Sequence, residues 1–116
     1  SGIPKQSIEK AFGASKTLFD LDSSQKQSLK QIDPRSNTGY VGYGREALNK
    51  RRATDLKLAF NVRNTSFIDS VDLGGTPEEF QVATQDLWTL LKKLSDEYAE
   101  CCAMALDLEE DYFSSF

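Results

Sequence analysis

Tyr40, Tyr43 and Arg45 stand among Gly39, Gly42 and Gly44, and this short window is where the chain comes closest to ligand-binding chemistry. An arginine can clamp a carboxylate through two parallel hydrogen bonds, and tyrosines supply apolar walls with a polar tip. The same residues could instead be aromatics packed at a surface edge beside a solvated arginine. The glycines do not form a phosphate-cradling loop, because the Gly-Lys-Ser/Thr ending is absent. No catalytic residue is proposed from these types and spacings. The chain has no histidine, which excludes a histidine general base, Ser-His-Asp and Cys-His nucleophile systems, histidine-ligated zinc and a His/carboxylate iron site. Cys101 and Cys102 are adjacent. Neighbours on one helix point in different directions, so they make no C-x-x-C redox or zinc knuckle. They read as two buried free thiols of a protein kept in a reducing, cytoplasmic setting. Asp107, Glu109, Glu110 and Asp111 cluster near a helix C-terminus. There they oppose the helix dipole and stay solvated, and no metal site is expected.

The elements that must position these residues follow from length and pattern. A chain of 116 residues is the size of one domain, here spanning 1–116. Leu, Ile, Val and Phe together number 28, enough for a modest core without disulfides or metals. No apolar run approaches the ~20 residues of a membrane-spanning helix, and Ser1-Gly2-Ile3-Pro4 does not read as a targeting signal. Net charge is −4, divided into +6 over residues 1–63 and −10 over 64–116. The basic residues are scattered through an amphipathic pattern, so no nucleic-acid or membrane partner is expected.

Pro4 suits a helix start, and Ile8, Ala11, Phe12, Ser15, Leu18 and Phe19 recur at helical steps, predicting a first helix over about 4–19. Asp22, Ser23 and Ser24 offer caps for a short second helix over about 23–31, with Leu29 and Ile32 inward and Asp33-Pro34 as its stop. Asn37 to Gly44 fits a short strand or extended loop, and the basic stretch 44–53 an exposed loop. Leu56, Leu58, Phe60 and Val62 alternate as in a half-buried strand. After Gly74-Gly75, Thr76 as cap, Pro77 at the first position and Glu79 closing a capping box predict the start of a long helix. A stripe of Phe80, Ala83, Leu87, Leu90, Leu94, Tyr98, Cys101, Ala105 and Leu108 continues it, with no Gly or Pro beyond 78. A helix over 77–108 would be ~48 Å long at ~1.5 Å per residue, whereas a compact chain of this size has a radius of gyration near 13 Å. Something outside 1–76 is therefore expected to cover part of the stripe.

Taken in order, these features resemble a known family. Phe19 with Ser24-Gln25-Lys26, Gly39-Tyr40 running into Gly44-Arg45-Glu46, and Asp55-Leu56-Lys57 before Phe60-Asn61-Val62 are followed by the Pro77-to-Phe80 helix entry. Ala105-Leu106-Asp107-Leu108 then precedes Tyr112-Phe113. The chain is similar over nearly its whole length to the N-terminal region of the non-haem Fe(II)/2-oxoglutarate-dependent dioxygenases related to isopenicillin N synthase. The resemblance implies a mainly α fold with a few short strands, a helical cap with one long C-terminal helix, lacking the double-stranded β-helix barrel that follows it in the family. It implies that Ser1 to Pro4 continue a turn that follows the family's opening strand and helix, and that Phe116 stands where the barrel would begin. Leu58 departs from the family pattern, which has an acidic residue there.

The resemblance implies a non-catalytic N-terminal region of an oxidoreductase acting on a small organic substrate, helping to cover the active-site mouth, with Tyr40, Tyr43 and Arg45 facing substrate. It also implies that Fe(II) and 2-oxoglutarate belong to the full-length parent, with no cofactor held by this chain. Two partners fit the stripe of Phe80, Leu87, Leu90, Leu94, Tyr98 and Leu108: the catalytic barrel of the same polypeptide, or a second copy in a stand-alone dimerisation module without enzymatic activity.

Overall fold

The computed structural model describes residues 2–29, 39–44, 54, 56–62 and 77–115. Helix α1 spans Lys5–Asp20 and α2 spans Ser23–Ser28; strands β1, Gly39–Val41, and β2, Ala59–Asn61, form an antiparallel pair. The long helix α3 spans Glu78–Ala105, and a 3-10 turn over Tyr112–Ser115 follows it. The chain is thus mainly helical with one two-stranded sheet, as the sequence pattern predicts, and no barrel forms among the described residues.

The corner between α1 and α2 is fastened by side chains. Asp22 Oδ1 accepts from the Gln25 backbone N–H at 2.8 Å, and Gln25 Oε1 accepts from the Asp22 N–H at 3.2 Å, completing a capping box. Lys26 Nζ donates to the Phe19 carbonyl at 3.0 Å, so a lysine of α2 satisfies a carbonyl left open by the last turn of α1. Beyond α2, the Tyr40 N–H donates to the Leu29 carbonyl at 3.1 Å, tying β1 to the end of that helix.

The core draws on α1, β1 and α3 and on the residue that follows α2. Ala14 and Leu18 of α1, Leu29 after α2, Tyr40 of β1, and Phe80 and Ala83 of α3 are buried together, with Phe19, Leu21, Leu58 and Phe60 packed around them. Phe60 meets Phe80 edge to face at a centroid distance of 4.9 Å, a favoured aromatic geometry.

Several expectations need correction. The inward face of α1 runs through Ala11, Ala14 and Leu18, and Phe12 is 74% exposed. The two alanines let the helices approach closely, and a face centred on them turns Phe12 outward. Leu56, expected to begin a half-buried strand, is 87% exposed, because pairing starts only at Ala59. Helix α3 starts after Pro77, whose backbone is not helical and which makes no side-chain cap. The Thr76 cap, Ile32 and the 45–53 loop lie outside the described residues.

At its far end α3 stops at Ala105 rather than 108. The Leu108 N–H donates to the Ala103 carbonyl at 3.0 Å and the Asp107 N–H to the Met104 carbonyl at 3.1 Å, while Asp107 sits at φ 56°. This pair of bonds around a left-handed residue is a Schellman ending, with aspartate in the place glycine usually takes.

Candidate functional site

The segment from Gly39 to Gly44 is held from several sides. Gly39 and Gly44 have φ of 115° and 72°, values an L side chain rarely adopts. A Cβ on Gly44 would stand 3.2 Å from Thr54 Oγ1, so this turn passes close to the stretch leading into β2. Register pairs Gly39 with Asn61, Tyr40 with Phe60 and Val41 with Ala59.

The sequence-expected trio divides. Tyr40 is 9% exposed, and its ring belongs to the core cluster. Burial, reinforced by the nearby Tyr43, holds its phenol above the usual value of 10.0, so it stays neutral throughout the physiological range. Tyr43, in the turn, is 65% exposed and presents its ring to solvent. Arg45 lies outside the described residues. The arrangement is thus one buried tyrosine anchoring a strand and one exposed tyrosine three residues later at the tip of a tight turn.

A second feature lies on α3. At ~100° per residue, Phe80, Leu87, Leu94, Tyr98, Cys101 and Ala105 fall within one sector of the helix surface. Within that sector Phe80 and Ala83 are buried in the core with Ala14 and Leu18 of α1, and Leu87, Leu90 and Leu94 are half-buried. Tyr98 is 72% exposed, and Cys101 and Ala105 are exposed as well. Burial at this end moves to another face, where Ala103 is fully buried and Ala99 and Cys102 are half-buried, and the 3-10 turn packs there. The apolar stripe is therefore covered over its first half and bare over its second. The expectation of two buried thiols does not hold, since Cys101 is exposed and Cys102 only half-buried.

Leu91, Met104 and Leu106 are also exposed, and they lie outside the expected stripe. For Leu91 the signal was present, since it extends the Leu90 row by one residue. Met104 and Leu106 could be found only by knowing where α3 stops.

The chain's own residues do not fit an iron centre. It contains no histidine, and among the described residues no three Cys, Asp or Glu side chains converge. Nor is any described helix long and apolar enough to cross a membrane.

Among known proteins, the model of the family described as "non-haem dioxygenase in morphine synthesis N-terminal" matches residues 1–86. The match runs from α1 through the elements that build the core and into the first turns of α3. No curated protein and no solved structure matches the chain.

Proposed function

The chain belongs to the family of non-haem dioxygenase N-terminal regions, and on that premise we propose that it is the non-catalytic cap of an Fe(II)/2-oxoglutarate-dependent oxygenase acting on a small organic substrate. In this reading iron and 2-oxoglutarate are held by a catalytic barrel outside residues 1–116. The chain contributes a folded cover at the mouth of that site.

The observation that carries the reading is the change along one face of α3. Tyr98, Cys101 and Ala105 continue the stripe that is buried or half-buried between Phe80 and Leu94, yet they face solvent. Exposed apolar surface continuous with a buried stripe is the usual mark of an interaction site. The barrel is the proposed occupant. Tyr43, in the turn after β1, and Arg45, which follows it in sequence, are the proposed substrate-facing residues, and Tyr40 is the anchor that fixes β1.

A paired substitution in the polypeptide that carries this chain tests the reading. Leu90→Asp places a charge on the half-buried part of the stripe and should destabilise the isolated chain by about 2–4 kcal/mol. Tyr98→Asp changes an exposed residue and should alter isolated-chain stability by no more than about 0.5 kcal/mol. Tyr98→Asp should nonetheless lower 2-oxoglutarate turnover in the carrying polypeptide. Unchanged turnover would contradict docking through this face.

A further inference from the structure

The bare end of α3 carries a charge pattern that specifies what can cover it. Between Asp96 and Asp111 the sequence places seven carboxylates, and no lysine or arginine follows Lys93. Asp96 and Glu97 are each paired with a lysine one turn earlier, Lys92 at 2.6 Å and Lys93 at 3.8 Å. The other five have no lysine or arginine one turn before them. Glu97 stands one turn before the exposed Cys101 and Glu100 one turn before the exposed Met104, while Asp107, Glu109, Glu110 and Asp111 alternate with or follow the exposed Leu106 and Leu108 in sequence. An apolar strip edged on one side and closed at its end by negative charge is the result.

Two copies meeting through this strip would set two negatively charged edges against one another, each holding Glu100, Asp107, Glu109, Glu110 and Asp111, and like charges brought within ~8–10 Å repel at ordinary salt. Like charges across an interface reject a partner as effectively as contacts select one. We propose that the distal end of α3 docks an apolar surface flanked by lysine and arginine on a different folded unit, and that it rejects a second copy of itself. The inference rests on the cap reading above, with the catalytic barrel as that unit, and adds the charge its docking surface must carry.

Hydroxyl-radical footprinting of Tyr98, Cys101 and Met104 tests this, applied to the 116-residue chain alone and to the polypeptide that carries it in its source cell. Each is measured at low salt and at ~1 M NaCl, where the screening length falls to ~3 Å. In the isolated chain the three side chains should oxidise readily at every protein concentration. In the carrying polypeptide they should be protected at low salt and regain reactivity at high salt, and a Glu100→Gln, Glu109→Gln, Glu110→Gln variant should lose protection at low salt. Protection that is indifferent to salt and to the glutamines would overturn the basic flank while leaving docking intact. No protection at either salt would overturn the cap reading itself. Protection that grows with concentration of the isolated chain would make a second copy the occupant and overturn the proposal.

Discussion

Leu18 is the fully buried large side chain at the centre of the described core, where α1, β1 and α3 meet. Leu18→Ala should cost ~2–5 kcal/mol, because the lost burial is joined by a cavity that the surrounding core only partly closes; urea denaturation reads it directly. Asp107 is the converse case. Its left-handed backbone costs a non-glycine residue ~1–2 kcal/mol, and its carboxylate faces the negative end of the α3 dipole. Asp107→Gly should therefore raise stability by roughly 1 kcal/mol, seen as a shift in the urea midpoint with an unchanged slope. Leu18 was legible in the sequence from its place in the helical repeat. Asp107 was not, because a search for glycine and proline misses an aspartate that ends a helix. Tyr40 and Tyr43 were legible as a pair of notable residues but not as a buried one and an exposed one, since their separation depends on how Tyr40 pairs with Phe60 across the sheet.

Elements were more readable than their edges. Helix α1 and the long helix declared themselves by periodicity, and both are present close to the expected bounds. The rotation of α1 was misjudged because Phe12 and Ala14 compete for the inward face, and close helix packing favours the smaller residue. The second helix depends on its capping box more than on burial, since no residue within Ser23–Ser28 is buried. Hydrogen bonds from the Gln25 N–H and the Ser24 hydroxyl hold the Asp22 carboxyl below its ordinary 3.8. A carboxylate with a lowered folded-state pKa stabilises the fold above the unfolded pKa and loses that contribution as pH falls through the folded one. Helical circular dichroism followed from about pH 5 to about pH 2 should therefore show an acid-induced loss that Asp22→Asn reduces, since asparagine caps without titrating. Among the described residues the helical ion pairs Lys5–Glu9, Lys16–Asp20, Lys92–Asp96 and Lys93–Glu97 all place lysine before its acid. That is the weaker orientation, so solvent-screened pairs of this kind add little to α1 or α3.

At the scale of the molecule, the radius of gyration is 17.1 Å with extents of 52 × 38 × 26 Å, well beyond the ~13 Å of a compact domain of about this length. The 28 residues of α3 extend ~42 Å, further than the ~24 Å that the 16 residues of α1 can line. The mismatch was visible in the sequence from the length of the stripe alone. Which part would be left bare was not, because that depends on where α1 lies along it. The family match and the bare distal face are what the proposed account rests on, that of a cap whose chemistry belongs to another part of the same polypeptide. The direct test is the intact mass of the species that carries this region in its source cell, detected with an antibody against residues 77–115. The account predicts a polypeptide far heavier than 13.0 kDa. A species of 13.0 kDa would contradict it and leave binding or assembly as the work of the chain.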